Sequence, residues 1–281
     1  MSAQAVRRGK EIVLDPDWLL VLARHVKLKS GFNLLSYKPR VCKRRVLVRL
    51  RARECSELAE YLEVLDEDPS EGEELKKAFS IRVSRFFRNQ ELFWLLKERI
   101  LPEVLARKAP GRALLVSAGC AEGEEPYGLA LILTHYLGLA PLSRKARIVG
   151  IEVEEAALAR ARSGVYDEER ISGLPPELRD NYFIRRGREY QLQEALREGV
   201  EFVAHDLREG LPLKGIDLLL CRNVLIYYSR EEKRRILAGL RRSMADEGYL
   251  VLGKTEVLLG SQRSGFVGVD LKERIYRKAG E

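Results

Sequence analysis

From Gly111 onward the chain alternates short apolar runs with amphipathic ones, and this alternation constrains its fold more than any other feature. Residues 113–117, 146–151, 201–204, 216–221 and 248–252 are runs of strand length rich in Val, Ile and Leu. Between them, residues 126–137, 156–162 and 236–244 repeat their apolar positions at helical spacing. Strands separated by helices at this spacing predict an α/β fold built on a doubly wound, mainly parallel sheet. Residues 265–269 and 274–278 predict an antiparallel pair at its edge. Residues 166–199 interrupt the alternation, and 183–186 with 190–193 predict a small inserted β-subdomain there.

The first 80 residues read differently. Residues 18–53 contain no acidic side chain, whereas 54–74 contain ten and no base. Arg45, Arg49 and Arg53 recur every four residues, which places them on one helical face. Leu58, Tyr61, Leu62 and Leu65 repeat at spacings of three and four, so the acidic stretch is also an amphipathic helix. Asp15-Pro16 and Asp68-Pro69 are helix starts, because proline suits the first helical position. A further long helix is expected over 90–107. The chain therefore divides into a basic helical N-terminal domain, 1–80, and an α/β domain, 81–281, with the insertion at about 166–199. The opposed charge blocks have two readings: the helices pair with one another, or the basic face docks an acidic partner.

Composition narrows the classes. Apolar residues are 46% of the 281, enough for a substantial core, and no run reaches the ~18 apolar residues of a membrane span. The N-terminus lacks the apolar stretch of a secretory signal, so a cytoplasmic protein is expected. Four cysteines without a CxxC pair, and three histidines, predict reduced buried thiols and no metal site. The net charge of +8 points to an anionic partner without choosing among them.

Ligands of open α/β sheets bind beyond the carboxyl ends of the strands. Three stretches lie there. The loop Ala118-Gly119-Cys120-Ala121-Glu122-Gly123 follows the first strand, and its small residues permit close approach of a ligand. Glu152 ends the second strand, where an acid can accept ribose hydroxyls. Cys221-Arg222-Asn223 follows the fourth. The helix after the first loop begins Glu124-Glu125-Pro126. Two carboxylates repel a pyrophosphate, which needs a free helix N-terminus. They suit a ligand with a sulfonium or amino group, which favours S-adenosylmethionine over a dinucleotide.

Ser84-Arg85-Phe86-Phe87-Arg88, Gly123-Glu124-Glu125-Pro126-Tyr127, Ala161-Arg162-Ser163-Gly164-Val165-Tyr166 and Cys221-Arg222-Asn223-Val224-Leu225-Ile226-Tyr227 resemble, in order and spacing, the signatures of the CheR-type chemoreceptor glutamate methyltransferases. The resemblance spans nearly the whole chain. It implies the class I S-adenosylmethionine methyltransferase fold, S-adenosylhomocysteine as product, and no metal. It implies contacts to the cofactor from Ser84, Arg88, Gly119, Glu125, Glu152, Asp206, Leu207, Arg222 and Asn223. Glu125 is expected on the amino group, Glu152 on the ribose, and Asp206 with Leu207 by the adenine. Arg88 and Tyr227 are the expected catalytic residues, and Arg45, Arg49 and Arg53 the docking face for an acidic helical receptor region. The chain is expected to be monomeric and not membrane-inserted, with no stable nucleic-acid partner.

The sequence departs from the family at Arg82, which replaces a common Asn and brings a cation near the sulfonium. It departs again at Gly253-Lys254-Thr255-Glu256, which replaces Gly-His-Ser-Glu. The loop around Gly187–Glu189 is short beside members that grip a tethering receptor peptide, so no tether is expected. Phe86 and Phe87 are expected in the core. A glutamate carboxylate is already ionised at neutral pH and needs no general base. Two other readings remain at this stage: a nucleic-acid methyltransferase, and a non-catalytic adaptor.

Overall fold

The computed structural model describes residues 12, 14–79, 84–138, 144–258, 260–263 and 265–280. It comprises two units, residues 1–81 with Tyr227–Glu232, and residues 82–226 with 233–281.

The first unit is helical. Helices α1 (Trp18–Ser30), α2 (Pro39–Ala52), α3 (Leu58–Glu67) and α4 (Pro69–Phe79) each bury a stripe of residues three or four apart. Leu22 and Val26, Cys42, Val46 and Leu50, Tyr61 and Leu65, and Leu75 and Phe79 form one core. Gly31 ends α1 in the left-handed region, φ 68°, and its N–H returns to the Lys27 carbonyl. Pro39 and Pro69 open α2 and α4, where a missing N–H costs nothing. Segment Tyr227–Glu232 joins this unit through its backbone. Lys38 N–H donates to the Tyr227 carbonyl (3.0 Å), and Ser229 N–H to the Ser36 carbonyl (2.7 Å). Tyr37 stacks on Tyr228 at 5.1 Å.

The second unit holds a seven-stranded sheet. Its strands are β1 (Ala113–Ala118), β2 (Ala146–Glu152), β6 (Val200–Ala204), β7 (Ile216–Cys221), β8 (Met244–Leu252), β9 (Phe266–Asp270) and β10 (Ile275–Lys278). Their order is β6-β2-β1-β7-β8-β10-β9. All neighbours are parallel as far as β8, and β10 is antiparallel to both β8 and β9. This is the doubly wound, mainly parallel sheet expected from the sequence, with an antiparallel edge. Strand β7 (IDLLLC) is buried at every position, as a strand covered on both faces must be. The order reverses at β1, so the loops after β1 and β7 flank the switch point at which such sheets bind ligands.

Helix α5 (Gln90–Leu95) runs through a π-type turn, Leu96–Ile100, into α6 (Leu101–Lys108). Helix α7 (Glu124–Leu131) follows β1, and Glu124 and every residue from Pro126 to Leu131 are buried. Helix α8 (Glu155–Ser163) follows β2. The inserted stretch forms a second sheet of β3 (Val165–Asp167), β5 (Glu189–Leu192) and β4 (Phe183–Arg186), all antiparallel. Three short helices accompany it: α9 (Glu168–Ile171), α10 (Pro176–Tyr182) and α11 (Glu194–Glu198). Sequence periodicity missed them because four to seven residues are too few to display a 3.6-residue repeat. Helix α12 (Arg230–Ser243) precedes β8.

Candidate active site

The loop after β1 is built from backbone hydrogen bonds. The N–H groups of Gly119 and Cys120 both donate to the Ile151 carbonyl, at 2.7 and 3.0 Å. Gly119 (φ 77°) and Gly123 (φ 91°) occupy the left-handed region that glycine tolerates. A methyl group on Gly119 would lie 2.4 Å from Val224 on the β7 loop, so glycine lets the two loops meet.

Glu125 is the central acid. Its two oxygens accept from Ser117 Oγ (2.8 Å) and an Arg222 guanidinium nitrogen (2.8 Å). A second Arg222 nitrogen donates to the Arg88 carbonyl at 2.8 Å. Arg222 thus ties together the β7 loop, the start of α7 and the Ser84–Arg88 segment. Phe87 (φ 50°) and Asn89 (φ 67°) flank Arg88 in the left-handed region. Phe86 meets Tyr166 and Phe183 edge-on, and Phe87 stacks on Phe93 at 4.6 Å, so both are core residues as expected. Ser84 and Arg88 are half-buried, and Arg82 lies outside the described residues.

Glu124 points elsewhere. It is fully buried, and Arg170 on α9 holds both it and Glu122. Burial pushes its carboxyl above the usual range, with Arg170 opposing. Glu152 accepts from the N–H groups of Ala121 (3.1 Å) and Val153 (2.8 Å). Burial also raises its pKa, against those backbone donors. Asp206 caps the turn Leu207–Glu209 and is gripped by Arg208. Burial disfavours its charge, but the Arg208 hydrogen bonds outweigh that and hold its carboxyl below the usual range. Leu207 is buried beside it.

The chemistry of this set fits S-adenosylmethionine. Carboxylate oxygens retain lone pairs beyond one partner each, so Glu125 has room for an ammonium. Arg222 Nε is buried without a hydrogen-bond partner, a donor left over beside that acceptor. An acceptor and a donor together suit the amino-acid end of the cofactor. Glu125 in the first turn of α7 disfavours a phosphate there.

In the helical unit the three arginines part company. Arg49 forms a two-pronged pair with Glu71, at 2.9 and 2.6 Å, and Tyr61 donates to the same carboxylate at 2.6 Å. Glu71 is wholly buried. Arg53 reaches Asp68 at 3.0 Å. Arg45 has no acidic partner among the described residues, and its Nε is buried and unsatisfied. Burial, then neighbouring Arg44, lower its pKa, while the Tyr227 phenol raises it. The expectation of one shared surface thus needs correction at Arg49, whose charge is spent inside the unit; the pairing of the two charge blocks won there. Arg40, Lys43, Arg44 and Arg51 are the exposed bases of α2. Tyr227 is half-buried, in the segment bound to the helical unit.

Sequence reasoning gave no role to Ser117, Arg170 or Glu256, although Glu256 lies in the Gly253-Lys254-Thr255-Glu256 stretch that it compared with the family. Arg170 and Glu256 act across long chain separations, so spacing carried no signal for them. Ser117 could have been found, as the one hydroxyl in the apolar β1 run.

Comparison with known proteins identifies the family. The family described as CheR methyltransferase, SAM binding domain, matches residues 82–274. The family described as CheR methyltransferase, all-alpha domain, matches residues 19–80. A chemotaxis protein methyltransferase of Listeria monocytogenes is 32% identical over 88% of this chain and 92% of its own length. One of Borreliella burgdorferi is 28% identical over 95% of this chain and 97% of its own. An uncharacterised 104.1 kDa protein of Rhodobacter capsulatus is 32% identical over 90% of this chain, which spans only 26% of that larger protein. With both of its units matched, the chain belongs to the CheR family of S-adenosylmethionine-dependent methyltransferases.

Proposed function

We propose that the protein transfers the methyl group of S-adenosylmethionine to glutamate side-chain carboxylates on an acidic, helical cytoplasmic region of a chemoreceptor. The observation that carries this reading is where the candidate bases lie. Among the described residues, His205 is engaged with the Gly210 carbonyl, His135 with Tyr182, and His25 with Asp66. Burial drives the Cys120 and Cys221 thiols well above their usual pKa. Such a site suits a nucleophile that arrives already ionised, as a carboxylate does.

The cofactor supplies an electrophilic methyl group; the protein's task is to position and to exclude water. Glu125 and Arg222 hold the amino-acid end. Glu152 accepts from the ribose, and Asp206 with Leu207 borders the adenine. Gly119 and Asn223 shape the loops between, with Ser84 at their approach. Arg88 and Tyr227 orient the incoming carboxylate by hydrogen bonding, loosely enough to leave its lone pair nucleophilic. The exposed bases of α2, with Arg45 and Arg53, draw the acidic receptor helices, a steering that weakens as salt rises.

The test uses receptor cytoplasmic fragments whose candidate glutamates are intact or replaced by alanine, with labelled S-adenosylmethionine. Label is expected on the intact fragments alone. Label on the substituted fragments, or on nucleic acid offered in their place, overturns the reading.

A further inference from the structure

Gly253, Glu256 and Asn223 form a three-way contact. Strand β8 ends at Leu252 beside β7. The chain then turns tightly, with Glu256 N–H donating to the Gly253 carbonyl at 2.8 Å. This turn carries the Glu256 carboxylate back beneath the β7 loop. One oxygen, Oε2, accepts from both Gly253 N–H (2.7 Å) and Asn223 N–H (2.8 Å). The other, Oε1, is buried without a partner, and the residue is 1% exposed. A carboxylate removed from water needs hydrogen bonds to offset its desolvation. Here they fix one backbone position.

That position has an unusual backbone. Asn223 has φ 60°, in the left-handed region that asparagine tolerates better than most side chains. Its neighbour Arg222 makes the bridge to Glu125 and Arg88. Gly253 completes the device by having no side chain. A methyl group there would lie 2.6 Å from Glu256 Oε2 and 2.9 Å from both Asn223 nitrogens. Lys233 anchors the turn's far side, donating to the Val257 carbonyl at 3.1 Å.

We infer that Glu256 is a positioning residue for the cofactor: it clamps the Asn223 backbone and thereby holds the Arg222-Asn223 pair in its binding geometry. The inference rests on Arg222 and Asn223 contacting the cofactor. It assigns Glu256 no contact of its own with the methyl donor, and it makes the geometry of the carboxylate matter more than its charge.

Titration calorimetry with S-adenosylhomocysteine, paired with steady-state kinetics, tests it. Glu256→Ala, which orphans two N–H groups, is expected to weaken binding at least tenfold. Its kcat at saturating cofactor and its KM for the receptor fragment should stay within about threefold of the parent. Glu256→Gln keeps a carbonyl oxygen for both N–H groups and should bind within about threefold of the parent. Gly253→Ala, which pushes the same atoms apart, should reproduce the Glu256→Ala loss. Equal losses in the Gln and Ala variants would make charge the operative property and overturn the inference. So would unchanged binding in Glu256→Ala, or a fall in kcat without one in affinity. Asn223→Ala separates the premise from the inference. If it binds normally, the cofactor-site reading fails; if it loses affinity while Glu256→Ala does not, the clamp alone fails.

Discussion

Arg222 is the residue on which the site's geometry converges. Its side chain is 4% exposed and that of its partner Glu125 is 14% exposed, so each charge depends on the other for compensation. Removing one partner of a buried pair typically costs about 3–5 kcal/mol, because the survivor keeps its desolvation penalty. Arg222→Ala is therefore expected to lower the unfolding free energy by about 3 kcal/mol in urea titration and to abolish measurable cofactor binding. Arg222→Lys should rescue little, since one ammonium cannot reach both Glu125 and the Arg88 carbonyl in a fixed fork. Asp206 gives a prediction with a pH sign. Its folded pKa lies below the ordinary 3.8, so its contribution is fully present above that value and is lost as pH falls through the folded pKa. The thermal-midpoint difference between parent and Asp206→Asn should be constant near neutrality and shrink below about pH 3.8.

At the scale of elements, α2 shows how one helix divides its charges. Arg49 faces inward onto Glu71 of α4, whereas Arg44 and Arg51 face outward. Glu71→Ala would leave the Arg49 guanidinium and the Tyr61 hydroxyl without their acceptor, at a cost of about 3 kcal/mol. Arg44→Glu with Arg51→Glu should change stability by no more than about 0.5 kcal/mol. That pair of reversals should raise the KM for an acidic receptor fragment severalfold and leave cofactor binding alone; unaltered KM would remove α2 from the docking account. The sequence announced α2 and α3 through periodicity and α4 through the proline at its start. It did not announce which arginine turned inward, because Arg45, Arg49 and Arg53 share one face and only the arrival of a buried Glu71 selects among them. The strands were legible for a similar reason: buried parallel strands are apolar runs, and five were placed within a few residues. What remained illegible were contacts across the chain, such as Arg170 onto Glu122 and Glu124, and Glu256 beneath Asn223.

For the whole molecule, the notable fact is that the chain enters the helical unit twice, once at its start and again at Tyr227–Glu232. The segment directly after the β7 loop is thereby held by backbone bonds with residues 36 and 38. Tyr37→Ala removes the ring stacked on Tyr228 and part of the helical core. It is expected to lower kcat for receptor methylation while the affinity for S-adenosylhomocysteine, measured by calorimetry, stays unchanged. Loss of both would show that Tyr37 serves folding alone. The four signature motifs, in order and at family spacing, made the family legible. The second visit to the helical unit was not legible, because residues 227–232 read as the continuation of one α/β domain.

The central claim is that the acceptor is a carboxylate, and the bond formed tests it most directly. Receptor fragments methylated with labelled S-adenosylmethionine should release their label as volatile methanol on mild alkali treatment, as an ester must. Label that stays bound through alkali would mean methylation of nitrogen or carbon, and would contradict the account.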